Sequence, residues 1–460
     1  KHNFEVHPAL QELGEAPDEE QTEESVMSVL KQFSSRVLVD DLVACFPIAL
    51  WLPKLLKKPP WQGLITDALC GITVAAVLVP QGMAYGMLAQ LPPVYGLYTA
   101  LLPSIGYIAF GTCMHLCVGP FALIAMLSAQ GIRTVVPDPD ADPEAAVRVS
   151  SLLALMVGLN LVLFGILRLG FIASFLSDSV LSGFCTASSL IIPLSQLKYA
   201  FQVKPEGGNF FVTVMSIFDH ILRGESNLVA LSIFTLSLLS IVVIQKINAT
   251  PPRRLAGLLN KCPLPAELLV VIASTGACYA LDLGACPGRC VRLLGPIQPG
   301  LPSISVPSFH SSEVTKLIPP SLLVACMTYI ISMSVSKTFG RKFGYEVSNN
   351  QELIALGAAN LLGCVSSSFP AASSLSRTAI AANSGAATPL HGLWTVAAVC
   401  LVLVYCVELV KPLPLAALAA IVVMAFKSLL LTGLAECQWS FRVSAWDFTI
   451  WQIAFWATLA

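Results

Sequence analysis

The stretch SSFPAASSLSRTAIAANSG, residues 367–385, places a single arginine, Arg377, among small and apolar residues. Apolar segments extend on both sides of this stretch, and no aspartate or glutamate lies close to it in the sequence. A guanidinium group stays charged at physiological pH, so the chain keeps a permanent positive charge there without a neighbouring counter-charge. The first question that the sequence raises is what surrounds Arg377 in the folded chain.

The composition of the chain is unusually apolar. Of its 460 residues, 55% are hydrophobic and 12% are charged, and the mean hydropathy is +0.76. A soluble domain carries about 25% charged residues. Apolar segments of about 20 residues, the length that crosses a bilayer as a helix, recur throughout the sequence. The sequence therefore predicts an all-α polytopic membrane protein, and its formal net charge of −1 argues against a nucleic-acid partner.

Thirteen apolar segments have the length of complete or interrupted membrane spans. The last segment stops inside an apolar run, so we expect this span to be cut short and the natural chain to continue. In chain order, the predicted spans are 64–88, 92–111, 115–133, 147–167, 171–197, 226–247, 263–282, 317–338, 350–366, 370–386, 388–409, 412–433 and 446 onward.

The charges of the connecting loops predict the orientation of the chain. Lysine and arginine collect in cytoplasmic loops, and the basic loops before the first span and after the sixth and eighth spans fall on one side of the membrane. The acidic loop PDPDADPEAA (137–146) falls on the other side. We therefore expect a cytosolic N-terminal arm over residues 1–62 and a transmembrane domain over residues 63–460. The basic residues are Lys54, Lys57, Lys58, Arg253, Arg254, Lys261, Arg341 and Lys342.

Two predicted spans have an interrupted pattern. The third opens with CMHLCVGPFALIAML (113–127), in which a β-prone piece breaks at Gly119-Pro120, and the tenth opens with CVSSSFPAASSLSRTAI (364–380), in which a Ser-rich piece breaks at Pro370. Each is predicted to be a short strand followed by a half-helix. They are third in successive groups of seven spans, and because seven is odd the two groups run in opposite directions. Interrupted segments at corresponding positions of inverted halves indicate the binding site of a transporter.

Arg377 would lie in the first turn of the second half-helix. An arginine at bilayer depth costs about 2.5–3.5 kcal/mol on insertion scales, so it persists where it faces protein or a wet cavity. Two helix N-termini, each with about half a positive charge, would form with Arg377 an electropositive cavity that attracts an anion. The hydroxyls of Ser373, Ser374 and Ser376 could donate to that anion, although small-residue packing also explains these serines. In the alternative interpretation, Arg377 only neutralises loose backbone carbonyls where the strand breaks.

Several motifs resemble those of a known family. VPQGMAYGMLAQLPPVYGLYTALLP (79–103), the pattern FGT…H…VGPFA (110–122), GYEVSNNQELIALGAANLLG (344–363) and SLSRTA (374–379) have the order and spacing of the SulP family, which contains the sulfate permeases, prestin and pendrin. The resemblance runs from about residue 64 to the end of the chain. It implies two inverted seven-helix repeats arranged as core and gate domains of the uracil-permease type. It also implies a homodimer, a cytosolic STAS domain beyond this chain, and a transporter rather than an enzyme, without cofactor or metal.

The resemblance also implies a place for the anion, between the starts of the third and tenth helices. The implied anion-binding residues, carried over by position, are Gln81, Tyr85, Phe121, Ala122, Ser376 and Arg377. Gln81 can donate through its amide, and the ring edges of Tyr85 and Phe121 carry positive potential. Taken singly, the two aromatic residues could be packing residues, and Gln81 beside Pro80 could satisfy a broken helix.

One position departs from the pattern of proton-coupled members. Plant sulfate permeases of the family carry a glutamate in the eighth span, where this chain has Ile331, and no acidic residue occurs between 318 and 340. A proton carrier needs a titratable group in its pathway, so symport by that route is disfavoured, as is a proton-coupled nucleobase permease. We therefore expect a plasma-membrane transporter that exchanges sulfate, chloride, bicarbonate or related anions by alternating access. The alternative is an anion-dependent, voltage-responsive motor or channel-like conductor.

Most of the 14 cysteines lie inside apolar segments, where a thiol behaves as a small hydrophobic group. Cys286 and Cys290 differ because they share a polar loop, GACPGRCVR (284–292). A local disulfide is one interpretation, although a short loop strains such a bond. A metal site is disfavoured because no histidine or further cysteine completes it.

Overall fold

A computed structural model gives the structure of most of the chain. The described residues are 46–57, 60–139, 141–171, 178–203, 210–250, 264–284, 290–295, 300–308 and 310–459. Outside these ranges lie residues 1–45 of the predicted cytosolic arm, Cys286 of the predicted pair, and the basic residues Lys58, Arg253, Arg254 and Lys261. The predictions that depend on them stay predictions.

The described residues of the first half form helices interrupted by one short strand. Local capping fixes several helix starts: Asp142 accepts from the backbone N–H of Ala145 at 3.0 Å, and Asn227 accepts from that of Val229 at 3.0 Å. The elements are α1 (Ile48–Lys57), α2 (Pro60–Leu88), α3 (Val94–Tyr98), α4 (Leu102–Phe110), β1 (Val118–Gly119), α5 (Ala122–Arg133), α6 (Pro143–Ile166), a 3-10 turn (Leu169–Phe171), α7 (Asp178–Phe201), α8 (Phe210–Leu222) and α9 (Leu228–Ala249).

The described residues of the second half repeat this plan. Its longest helix ends at Gly344, whose φ of 73° lies in the left-handed region that favours glycine. The elements are α10 (Ala266–Ala280), α11 (Ser311–Phe343), α12 (Asn349–Cys364), β2 (Ala372–Ser373), α13 (Leu375–Asn383), α14 (His391–Leu401), a π-helical segment (Val402–Cys406), α15 (Val407–Val410), α16 (Leu415–Val443) and α17 (Ala445–Leu459).

Each predicted span coincides with a helix, with differences in detail. A turn at residues 99–101 splits the second span into α3 and α4, and α11 and α16 extend beyond the predicted spans 317–338 and 412–433. Helix α8 was not predicted, because its 13 residues are too few for a span. Among the described helices, five are long and apolar enough to cross a membrane by themselves: Gly63–Leu88, Pro143–Ile166, Leu228–Ala249, Ser311–Phe343 and Leu415–Val443.

The helix packing follows an approximate two-fold symmetry between the halves. In such a repeat, each span of the first half corresponds to the span seven places later in the chain. Helix α6 therefore corresponds to α14, and α4 corresponds to α12. Accordingly, α6 packs on α12 and α4 packs on α14. In the same way, α7 packs on α17 and α9 packs on α16, while α7 and α16 pack on each other. This pattern agrees with the predicted inverted repeat.

The same contacts separate the helices into two groups. A core group contains α2 to α6 and α11 to α14 with the strand pair, and a gate group contains α7, α9, α10, α16 and α17. The groups meet where α2 contacts α10 and α16, and where α5 contacts α7. The half-helices belong to the core group, which therefore positions the candidate site.

A close approach between α2 and α3 supports the helix that carries Gln81. A Cβ atom added at Gly96 would collide with the backbone carbonyl of Gly82, the residue after Gln81. Overpacking costs about 1–3 kcal/mol or more, so we expect Gly96→Val to lower the melting temperature and the yield of monodisperse protein. The matched control is Gly276→Val, since an added Cβ there meets nothing within 4 Å. Equal melting temperatures for the two variants, measured in detergent, would show that the α2–α3 contact is dispensable.

Candidate functional site

The two interrupted spans meet at their strands. β1 and β2 pair antiparallel, with Val118 opposite Ser373 and Gly119 opposite Ala372. The pairing continues at Cys117, whose carbonyl accepts from the N–H of Ser374 at 3.2 Å. Because the strands are antiparallel, α5 and α13 leave the pair in opposite directions. A short strand followed by a half-helix is present in both spans, as predicted, but in the tenth span the strand follows Pro370 and does not end at it.

Both half-helices begin without a side-chain cap. The N-cap residues are Phe121 for α5 and Ser374 for α13, and neither side chain accepts from a backbone N–H of the helix that it precedes. The first N–H groups of a helix have no intrahelical acceptor and carry a partial positive charge. Two such helix starts lie on either side of one strand pair.

Arg377 is completely buried between these helix starts. Its Nη2 donates to the carbonyl oxygen of Pro120 at 2.8 Å, and its Nη1 donates to Oε1 of Gln81 at a long 3.4 Å. Nε has no hydrogen-bond partner within the described residues. No described carboxylate forms an ion pair with the guanidinium. Arg377 therefore neutralises one carbonyl at the strand break, as the alternative interpretation predicts, but keeps a charge that no described side chain compensates.

The remaining predicted site residues differ in their position relative to Arg377 and in their exposure. Tyr85 lies one turn after Gln81 on α2 and is 4% exposed. Phe121 is half-buried directly after Pro120, and Ala122 is the buried first residue of α5. Ser376 is exposed, and its Oγ lies 3.1 Å from Oγ of Ser374. No hydrogen bond joins Ser376 to Arg377 among the described contacts.

Ile331 lies on α11, behind β2. Its side chain is half-buried and packs against the apolar core. The next residue, Ser332, accepts from the N–H of Ser373 through Oγ at 3.1 Å. The eighth span therefore contacts the site through the back of β2, and it contributes a hydroxyl group there.

A buried carboxylate that the sequence analysis missed holds the segment before β1. Glu352, at 0% exposure, accepts from the N–H and Oγ1 of Thr112 at 2.8 and 2.6 Å and from the N–H of Cys113 at 3.2 Å. Tyr107 Oη donates to it at 3.0 Å and Ser336 Oγ at 3.4 Å. The signal was an acidic residue in the apolar run NNQELIALGAANLLG, which marks an intramembrane ionisable group.

The segment before β2 is also held by buried polar groups, one from each half of the chain. The amide of Asn360 brackets Ala371, with Oδ1 accepting from its N–H at 2.8 Å and Nδ2 donating to its carbonyl at 3.1 Å. Thr99, at the break in the second span, accepts from the N–H of Phe369 at 3.2 Å. Both strands are thus positioned by polar groups from the second and ninth spans.

Asp67 on α2 fixes the connection that follows the second half-helix. It is fully buried and accepts from the N–H of Ala387 at 2.8 Å and from Oγ1 of Thr388 at 2.6 Å. This contact ties the start of α14 to the helix that carries Gln81. The role of Asp67 is not visible in the sequence, because its partners lie more than 300 residues away in the chain.

Comparison with known proteins decides the family. The profile of the Sulfate permease family matches residues 64–454. This chain belongs to the sulfate permease family. The chain is 34% identical to probable sulfate transporter 4.2 of Arabidopsis thaliana, 32% to prestin of Danio rerio and 31% to pendrin of Homo sapiens. These alignments cover 91%, 90% and 88% of the chain but 59%, 56% and 53% of the relatives, so the chain spans somewhat more than half the length of each.

Solved structures share the fold over nearly the whole chain. The overall structure of SLC26A9 matches with a TM-score of 0.85 at 27% identity, over 93% of this chain and 66% of that chain. The transmembrane domain of the cyanobacterial bicarbonate transporter BicA matches with a TM-score of 0.70 at 21% identity, over 87% of this chain and 97% of that chain. Together with the helix packing, these matches confirm the predicted all-α polytopic fold of the sulfate permease family.

Proposed function

We propose that this chain is the transmembrane part of a secondary anion transporter that exchanges sulfate, chloride, bicarbonate or related anions by alternating access. The observation that carries the proposal is the buried guanidinium of Arg377, which has no described carboxylate partner and lies between two uncapped helix starts. Burying a charge without a partner is costly. An inorganic anion would supply the missing charge, with free N–H groups of both half-helices as donors.

The surrounding residues support an oxyanion or halide rather than an organic cation. Gln81 can rotate its amide so that the NH₂ group points toward an anion, because its present contact with Arg377 is long. Tyr85 offers a hydroxyl group, and Ser376 offers another from the exposed turn before Arg377. The names of relatives, which include sulfate transporters, a chloride anion exchanger and a bicarbonate transporter, point to the same class of substrate.

The domain arrangement suggests how the anion would move. The proposed site belongs to the core group, and the gate group meets it mainly along α2. In alternating access, the core would move against the gate as a body and carry the anion with it. We extend the proposal to residues 63–460 as the transport domain, residues 1–62 as a cytosolic arm, a STAS domain beyond this chain, and a homodimer in the plasma membrane.

The coupling mode that we expect depends on Ile331. We expect radiolabelled sulfate uptake into proteoliposomes to require chloride or bicarbonate inside and to ignore an imposed proton gradient, because the eighth span has no acidic residue between 318 and 340 to carry a proton. The measurement compares vesicles with chloride, bicarbonate or nothing inside at two pH values. Uptake into empty vesicles driven by inward protons would overturn exchange and assign the proton to another group.

A voltage-responsive motor is the second candidate. It is favoured by the similarity to prestin of Danio rerio, which nearly equals the similarity to the plant sulfate transporter. Both candidates use the same site, so the distinction is electrical. Nonlinear membrane capacitance without anion uptake would favour the motor, whereas uptake without such capacitance supports the exchanger.

A further inference from the structure

A large, mostly apolar groove lies beside the contact between the core group and the gate group. Its volume is about 1050 Å³, and it is bounded by α2 and α14 of the core and by α10 of the gate. Residues of the π-helical segment Val402–Cys406 and of α15 also line it. Ligand pockets in proteins measure about 300–1,000 Å³, so the groove has room for an extended organic molecule. The groove lies on the opposite side of α2 from the contact between Gln81 and Arg377.

The lining of the groove is largely apolar, with Thr275 of α10 and Glu408 of α15 as polar exceptions. The floor consists of buried residues, among them Ala75, Met83 and Val271, and Met83 is 1% exposed. The rim consists of exposed apolar residues, among them Ile72, Ile272 and Leu401, and Ile272 is 59% exposed. Water along most of this groove would find few hydrogen-bond partners, because an ordered water needs two to four polar neighbours.

We propose that an acyl chain of a membrane lipid occupies this groove. The bounding helices belong to a membrane-spanning domain, so its rim is continuous with the surface that faces the hydrocarbon of the bilayer. At that depth the apolar rim meets lipid chains, and an acyl chain matches a lining that is largely apolar. The site is independent of which anion, if any, the protein transports.

The groove places a bound chain where it can influence the site. Val79, Pro80 and Met83 line the groove, while Gln81 and Tyr85 of the same helix belong to the site. Pro80 removes one backbone hydrogen bond of α2 at this point and weakens the helix locally. An acyl chain between α10 and α2 contacts the gate and the core at once. It therefore binds one relative position of core and gate better than another and shifts the equilibrium between these positions.

Photolabelling tests the proposal directly. The full chain is reconstituted in vesicles that contain phosphatidylcholine with a diazirine in its acyl chain, illuminated, and digested for peptide mass spectrometry. We expect label on the floor residue Met83 as well as on the rim. In Gly276→Trp, where an added Cβ meets no neighbour within 4 Å, the indole fills the groove. We expect labelling of Met83 to fall several-fold in this variant.

The matched control is Ala277→Trp, one residue along α10. Ala277 is exposed but does not line the groove, so its indole meets the same bilayer without entering the groove, and Met83 labelling should stay at the wild-type level. Label confined to the rim in the wild type, or equal Met83 labelling in all three proteins, would overturn the proposal. Loss of Met83 label with anion uptake absent in every protein would support the lipid site and count against the proposed transport function alone.

Discussion

Arg377→Gln is expected to reduce anion uptake to background while leaving the protein folded. Truncating one partner of a buried charge pair costs about 2–5 kcal/mol, which corresponds to a loss of affinity of about 30-fold or more. The folded chain should tolerate the change, because the substitution removes a buried charge that no described carboxylate compensates. Radiolabelled uptake and the melting temperature, measured on the same preparation, separate these two effects.

The matched control is Arg133→Gln. Arg133 ends the other half-helix, is exposed, and donates through Nε to Gln90 at 2.8 Å. Its removal should leave uptake close to the wild-type rate, since exposed ion pairs and hydrogen bonds contribute little. Arg377→Lys is expected to retain part of the activity, because lysine keeps the charge but lacks the planar fork of donors that now reaches Pro120 and Gln81.

A ligand-stabilisation measurement distinguishes the anion site from a purely structural arginine. A ligand that binds the folded state raises stability by about 2.7 kcal/mol at a concentration of 100 Kd. Sulfate or chloride should therefore raise the melting temperature of the wild type and of Arg133→Gln but not that of Arg377→Gln. If Arg377→Gln keeps wild-type uptake and anion stabilisation, the guanidinium serves only the carbonyl of Pro120, and the proposed site is wrong.

The sequence made the interrupted spans predictable because their causes are local. Gly119-Pro120 ends the strand of the third span, and Pro370 lies two residues before that of the tenth, so each break in the helical pattern is readable from neighbouring positions. Arg377 was identifiable for the same reason, since a charge in a long apolar run is visible without knowledge of the fold. Family motifs then implied Gln81 and Tyr85, which a local pattern cannot connect with Arg377 across 296 positions of chain.

The polar supports of the two strands could not be predicted from the pattern. Glu352 binds Thr112 across 240 positions, and Thr99 binds Phe369 across 270 positions. Which buried polar groups meet is decided by the packing of the second and ninth spans, and packing is not encoded in any short window. Helix α8 was missed for a different reason, since a criterion based on span length passes over a 13-residue helix.

Glu352→Ala is expected to cause the largest loss of stability among substitutions outside the proposed anion site. The carboxylate is fully buried and accepts from the backbone N–H groups of Thr112 and Cys113 and from the hydroxyls of Thr112, Tyr107 and Ser336. Removing it leaves several buried donors unpaired, and each such donor costs about 1–3 kcal/mol. We expect a loss of about 3 kcal/mol or more, seen as a lower melting temperature in detergent. Glu352→Gln should also destabilise, because its NH₂ group would face donors.

Substitution of Glu352 should also disturb the proposed anion site, because Glu352 holds the segment that leads into β1. Residues 112 and 113 lead directly into the strand, so freeing them loosens Val118 and Gly119 and the carbonyl of Pro120 that Arg377 contacts. We therefore expect surviving Glu352→Gln protein to show a raised KM for anion uptake.

A double-mutant cycle with Tyr107→Phe should be non-additive, because both changes act on one hydrogen-bond network. The control Glu346→Ala removes an exposed carboxylate and should change stability by less than about 0.5 kcal/mol. Additive effects of Tyr107→Phe and Glu352→Ala, or a KM for Glu352→Gln equal to that of Glu346→Ala, would separate Glu352 from the positioning of β1.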